Sequence, residues 1–280
     1  MPKTVTLKAN FSSNKNKLIN EKKEIDNPFE LMITKHGNLI VNKYDELSPF
    51  WGVGSQIMRR GYYDMPEIEL TKNILKQCKT HFGDGVVALD CGANIGVHTI
   101  EWSQLMDGWG KVYSFEAQKF IYYSLCGSIA LNSCFNVDAK NIALGNKNGS
   151  IPVPKLDYRK NTSFGSLEIK ERTNGEWIGQ NINYSNTYDV ELRTIDSFNY
   201  TRVDFIKVDV EGMEEDVFVG ALDTIKKYFP VIFFEHSKSD KKTLENVLIN
   251  MDYDIQYKGN NALAIHKNSP ITINLSDFDL

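Results

Sequence analysis

Apolar positions change period in a regular way along the chain. Short buried-looking runs alternate with stretches in which apolar residues recur every three or four positions. Val86 to Asp90 reads as a strand, followed by a glycine loop and a helix through about Met106. Lys111 to Glu116 is a second strand, and Val137 to Ala143 a third, with a helix carrying Ile121, Leu125 and Ile129 between them. Val203 to Val210 and Val231 to Glu235 are the fourth and fifth, joined by a helix with Val217, Ala221 and Ile225 on one face. A helix bearing Leu244, Val247, Leu248 and Met251 leads to two closing strands, Tyr253–Tyr257 and Ala262–His266, around a Lys258–Asn261 turn. Alternation of this kind predicts an α/β fold: a mostly parallel seven-stranded sheet with an antiparallel edge strand.

The first helix begins at Asp64, which can cap it, with Pro66 and Glu67 in the first turn and Thr71, Ile74, Leu75 and Cys78 on the buried face. Before it, Leu31–Ile33 and Leu39–Val41 flank a turn and predict a hairpin, and Pro49–Gly54 reads as loop. Residues 1 to about 27 are polar and read as a mobile arm or a short, loosely attached extension. Residues 145–190 break the rhythm with many Asn, Gly, Ser and aromatic positions. The expected organisation is an N-terminal extension with a hairpin over 1–60, a catalytic domain over 61–267 with an insertion at 145–190, and a tail over 268–280.

Composition narrows the function. With 280 residues, 24% of them charged, and a net charge of −4, the chain can bury a large core and lacks the basic footprint of a duplex-binding domain. No apolar run reaches the ~20 residues needed to cross a bilayer, and no apolar leader is visible, so a cytoplasmic location is expected. Cys78, Cys91, Cys126 and Cys134 show no paired spacing and suit a reducing compartment. No heptad or repeat specifies an oligomeric state.

Candidate chemistry lies between the first core strand and its helix, in Asp90-Cys91-Gly92-Ala93-Asn94-Ile95-Gly96. Gly92, Ala93 and Gly96 permit close approach of backbone to a ligand at the carboxyl end of a strand, where open α/β sheets bind ligands. Glu116 ends the next strand at the distance of a ribose-binding carboxylate. A nicotinamide dinucleotide would favour a second glycine where Asn94 stands, and Asp90 would repel its pyrophosphate. The ammonium of S-adenosyl-L-methionine (SAM) suits that charge, and SAM carries no phosphate. Asn141 and Ile142, at the end of the third strand, are candidate adenine neighbours. Glycines that merely allow tight strand-to-helix packing are the bland alternative.

These stretches, with Phe115-Glu116-Ala117, Asn141-Ile142-Ala143-Leu144-Gly145, Arg193-Thr194-Ile195-Asp196 and the run Asp204 to Glu214, resemble the FkbM family of SAM-dependent methyltransferases. Gly61 to Glu67 is similar to the segment preceding that family's core. The resemblance spans roughly 45–267 and implies a Rossmann-like class I methyltransferase fold, SAM as cofactor and O-methylation of a sugar, glycan or small metabolite. Ala117 stands where the family commonly has Pro, and residues 146–190 match nothing in it.

A hydroxyl acceptor usually needs a proton acceptor. Asp209, Glu211, Glu235 and His236 fall at the carboxyl ends of the fourth and fifth strands and are the catalytic candidates. Each has a structural alternative in loop fixing, helix electrostatics or ion pairing, and Glu214 reads as a first-turn helix residue. These carboxylates could hold a divalent cation, though nothing in the sequence requires a metal. The other four histidines, His36, His81, His98 and His266, show no ligand spacing and read as surface or core. Tyr158, Arg159, Phe164, Trp177, Tyr184 and Tyr188 in the insertion either stack on sugar faces at the rim or form a satellite core. The loop after the fourth strand lacks the prolines and aromatic typical of enzymes that methylate nucleic-acid bases. The rival readings are a nicotinamide oxidoreductase, a non-catalytic SAM-binding module and an N-methyltransferase.

Overall fold

A computed structural model describes residues 27–48 and 51–280. The arm expected over the first residues lies outside the described residues, as do Pro49 and Phe50. The centre is a seven-stranded sheet made of β3 (Val86–Cys91), β4 (Gly110–Phe115), β5 (Val137–Lys140), β9 (Phe205–Val208), β10 (Val231–Glu235), β11 (Tyr253–Lys258) and β12 (Asn261–His266). Their order is β11-β12-β10-β9-β3-β4-β5. The five strands from β10 to β5 are parallel, and β12 runs against both β10 and β11. The chain builds outward from β3 to β5, then returns to lay β9 on the other side of β3. That reversal opens a crevice at the carboxyl ends of β3 and β9.

Both faces of the sheet are covered. One packs Ile74, Trp102, Phe205 and Phe233 under α2 (Met65–Phe82) and α3 (Val97–Leu105). The other packs Leu89, Phe115, Ile232 and Phe234 with Val217 and Ile225 of α5 (Glu214–Val219) and α6 (Leu222–Tyr228), and with Leu244 and Leu248 of α7 (Lys241–Ile249). A fully buried aliphatic or aromatic side chain contributes about 1.5–3 kcal/mol, so the strand positions with apolar residues on both faces anchor the fold. Among the described residues no helix is long and apolar enough to cross a membrane.

The α2 start follows the expected signal: Asp64 accepts a hydrogen bond from Glu67 N at 3.3 Å. Glu67 does not return the capping bond; its carboxylate turns toward the crevice instead. The expected hairpin forms as β1 (Phe29–Thr34) and β2 (Gly37–Asn42) and docks on α4 (Lys119–Leu131). There Ile40 N donates to Ser128 Oγ at 3.0 Å, and Asn132 brackets both the N–H and the carbonyl of Asn38.

Three elements differ from the pattern reading. The run 137–143 is two strands, not one. It breaks at Asn141, and β6 (Ile142–Leu144) joins β7 (Gly149–Pro154) and β8 (Thr187–Arg193) in a separate three-stranded sheet. The helix after β9 also splits into α5 and α6. A Cβ on Gly220 would meet the Gly145 carbonyl oxygen at 2.0 Å, so the strand end beside it bends the helix. Finally, α1 (Val53–Arg60) starts inside the stretch read as loop. It has no side-chain cap of its own. The distant Asp45 supplies the acceptors instead, Oδ2 for Gly54 N and the main-chain oxygen for Ser55 N, each at 2.8 Å.

Residues 268–280 return to the sheet, where Ile271, Ile273 and Leu275 are buried against the α2 layer. Gln77 ties that segment down through both the N–H and the carbonyl of Thr272.

Candidate active site

The crevice is a cleft of about 460 Å³ lined from the loop after β3, the ends of β4, β6, β9 and β10, the starts of α1, α2 and α3, and the insertion. Its floor is the glycine loop. Gly92 holds φ +84, and a Cβ there would lie 1.8 Å from the Asp209 carbonyl oxygen, so only glycine lets β3 and β9 close at this point. Asn94 also sits in the left-handed region at φ +50, a conformation Asn tolerates better than most residues.

Glu116 faces this loop from the end of β4. One carboxylate oxygen accepts Asn94 N at 2.9 Å and the other accepts Gln118 N at 2.7 Å. Burial pushes its pKa up to about 7, against the lowering effect of those two amides. Asn141 holds the turn from behind, donating to the carbonyls of Glu116 and Ala117 at 2.8 and 3.0 Å.

Beside the loop, past the end of β9 and at the end of β10, stand Asp209, Glu211 and Glu235, one carboxylate oxygen of each lying within 4.8 Å of the others. Each already has a partner. Asp209 pairs with Lys207 Nζ at 2.9 Å, Glu211 pairs with Lys238, and Glu235 accepts the Ser237 hydroxyl at 2.8 Å. Burial and the charge of Asp209 raise Glu235 to about 7 and hold Glu211 well above the usual carboxylate range. Burial works against the charge on Lys207, but the carboxylates of Asp209, Glu67 and Asp90 outweigh it and keep its pKa above the ordinary lysine value. Glu214 is a first-turn helix residue, as read from the sequence, and it also clamps the preceding loop: it accepts Val210 N and Gly212 N at 3.1 Å and the Ser239 hydroxyl.

Of the residues singled out from the sequence, Gly92, Ala93, Asn94, Glu116, Ala117, Ile142, Asp209, Glu211 and Glu235 line this one cleft. Asp90, Gly96, Asn141 and His236 are not in its wall. Asp90 is fully buried beneath the loop, accepting the Thr99 hydroxyl at 2.6 Å, with its second oxygen unpartnered. Gly96 opens α3 under Leu125. His236 packs edge-on against Tyr257, ring centroids 5.2 Å apart.

The insertion's aromatic residues also stay out of the cleft wall. Phe164 is buried and stacks on Tyr158 at 4.9 Å, Tyr184 Oη donates to the Glu168 carbonyl, and Tyr188 Oη accepts Lys119 N. They pack the insertion down, and Trp177 stands exposed. What the insertion offers the cleft is Ser163, Gly165, Ser166, Leu167, Ile169 and Glu176. Glu176 binds Lys238 at 2.7 Å, so Lys238 joins the insertion to Glu211.

The sequence reading missed His98, Glu67 and Lys207, which also line the cleft. Lys207 carried a signal, a charge inside the otherwise apolar Phe205–Val208 strand. For His98 the signal was its place in the first turn after the glycine loop. His98 Nε2 lies 3.1 Å from Glu67 Oε1, but out of line for a hydrogen bond.

This site fits SAM. The glycine loop brings Gly92, Ala93 and Asn94 to the cleft wall, Glu116 offers carboxylate oxygens for a ribose diol, and the carboxylate of Asp209 beside them suits an ammonium. The fold and the site define a SAM-dependent methyltransferase of class I, Rossmann-like architecture. The methyltransferase FkbM domain matches residues 90–255, and the chain belongs to that family. The family makes it an enzyme with SAM as its cofactor.

The chain is also similar to several solved structures. The methyltransferase FkbM from Methylobacillus flagellatus KT is 18% identical over 65% of this chain, with TM-score 0.48, and this chain spans 44% of its length. An rRNA methylase from Streptococcus thermophilus is 9% identical, covering 73% of this chain and 98% of its own, at TM-score 0.42. A SAM dependent methyltransferase from Aquifex aeolicus is 14% identical, covering 73% and 99%, at TM-score 0.34. A search of curated proteins found no match.

Proposed function

We propose that this enzyme transfers the methyl group of SAM to a hydroxyl of a sugar, glycan or small metabolite, acting in the cytoplasm. The observation that carries the reading is the cluster of carboxylates, Asp209, Glu211 and Glu235, lining the same cleft as Gly92 and Glu116. Methyl transfer from a sulfonium is an in-line displacement, and alignment of the reactants in a dry pocket supplies most of the rate. In this reading Glu116 binds the ribose, the Gly92–Asn94 backbone cradles the methionine portion, and Ile142 lies beside the adenine. Asp209 receives the ammonium, the role first assigned to Asp90, because Asp209 borders the cleft and Asp90 does not. Glu211 and Glu235 hold the acceptor by its hydroxyls. The four unbridged cysteines suit a reducing compartment.

The test has two steps. Isothermal titration should give saturable SAM and S-adenosylhomocysteine binding, with none for NADH; tight NADH binding in its place would overturn the cofactor assignment. Methyl-labelled SAM incubated with the protein and a host-cell lysate should then place the label on oxygen as a methyl ether. Label recovered on an amine nitrogen would overturn the hydroxyl assignment.

A further inference from the structure

The five histidines differ sharply in what their rings touch. His36 is fully engaged: Nδ1 pairs with Glu101 at 2.9 Å and Nε2 accepts Tyr63 N at 2.9 Å. His266 accepts Asn268 N and packs between Phe229 and Tyr253. His81 is exposed beside Phe82, and His236 faces Tyr257 outside the cleft. Only His98 lines the cleft. It is 7% exposed, and its ring makes no hydrogen bond among the described residues. A buried imidazole without a hydrogen-bonding partner costs free energy unless a ligand completes it.

Glu67 Oε1 stands 3.1 Å from His98 Nε2, with the Glu67 side chain 9% exposed. Asp64 is also within electrostatic reach of the ring, and Tyr63, Lys207 and Asp209 line the same cleft. Trp102 fixes the ring plane from below, edge to face at 5.4 Å, and is itself held by a hydrogen bond to Thr71. An unpartnered imidazole beside a carboxylate in a cleft wall is placed to accept a proton. Asp209, Glu211 and Glu235, by contrast, are occupied by Lys207, Lys238 and Ser237.

Building on the O-methyltransferase reading above, we infer that His98, positioned by Glu67, takes the proton from the acceptor hydroxyl during methyl transfer. The acceptor O–H bond breaks toward the imidazole as the oxygen–methyl bond forms. The methyl–sulfur bond breaks with its electron pair remaining on sulfur. Glu67 balances the imidazolium until the proton passes to water.

The test uses the full chain, methyl-labelled SAM and host-cell lysate. His98→Ala should lower the initial rate of labelling by about a hundredfold or more, the usual share of general-base catalysis, with the Kd for SAM within about twofold of wild type. Added imidazole should restore a measurable part of that rate, which a purely structural role would not allow. His98→Gln gives a second, better-packed variant if the alanine form loses its thermal transition. Glu67→Gln should lower kcat by about tenfold and leave KM for SAM unchanged. Labelling by both His98 variants at the wild-type rate, or a loss that imidazole leaves untouched while SAM still binds, overturns this role alone. A wild-type chain that binds SAM but labels nothing overturns the O-methyltransferase reading, and this role falls with it.

Discussion

Cofactor affinity should depend on pH through Glu116, and the dependence can be worked out from the site. Ribose hydroxyls donate to a carboxylate, so the ionised form of Glu116 is the one that binds. Burial raises its pKa to about 7. Above that value the carboxylate is charged and affinity is at its plateau. Below it, each pH unit leaves about a tenth as many molecules ionised, which weakens binding by about 1.4 kcal/mol. Between pH 8 and pH 6 the Kd for SAM should rise about tenfold. Glu116→Gln should weaken binding at pH 8 and flatten this slope, since the amide does not titrate. Glu116→Ala removes the acceptor altogether and should cost about 3 kcal/mol at pH 8, the worth of two hydrogen bonds to a charged group. Isothermal titration across the range reads all three, and the difference between wild type and Glu116→Gln separates Glu116 from the other raised carboxylates. Equal slopes for the two proteins, or wild-type affinity in Glu116→Ala, would refute the ribose assignment.

Three further outcomes are expected. Gly92→Ala places a Cβ against the Asp209 carbonyl at a positive φ, so it should cost at least about 3 kcal/mol in urea unfolding; a wild-type midpoint would contradict the packing described at that contact. Glu235 has its folded-state pKa raised to about 7, so its contribution to stability is complete below the ordinary glutamate value and is lost as pH rises through 7. Glu235→Gln should therefore melt a few degrees higher than wild type at pH 8 and at the same temperature near pH 4.5, as followed by circular dichroism. Asp45→Ala strips the acceptor from Gly54 N and Phe164 N together, which should destabilise the chain by about 2–4 kcal/mol and speed proteolysis of the insertion; Asp45→Asn should recover part of the loss.

Some of the site was legible because its signals are local. The loop Asp90–Gly96 sits where a buried strand changes to a helix, and Glu116 ends the next strand, so spacing alone put both at one end of the sheet. Asp209, Glu211 and Glu235 followed from the same logic of strand ends. Chain position could not say which of these groups would face the cleft. Asp90 and Lys207 are register partners in adjacent strands, yet one is sealed beneath the loop and the other reaches the cleft wall. The long lysine side chain carries its charge past the backbone layer, whereas the short aspartate stops beneath it and is held by Thr99.

The elements that were misread share a cause of the same kind. α1 takes its capping oxygen from Asp45, the 137–143 run divides because Asn141 ties the chain to β4, and α5 ends where Gly220 meets Gly145. Each depends on a partner distant in sequence. His98 looked like a surface or core histidine for the same reason, since its partner Glu67 lies on another helix 31 residues earlier.

The alternation of strands and helices, the glycine loop and the acidic strand ends were set by residues next to one another, because hydrophobic period and backbone freedom are short-range properties. Tertiary structure alone decided which carboxylates are already paired with a lysine, that His98 lines the cleft with its Nε2 unpartnered, and that Tyr158, Phe164, Tyr184 and Tyr188 pack the insertion down. Those outcomes depend on burial and on charges brought within a few ångströms by the closing of β9 against β3, and no linear spacing encodes that distance.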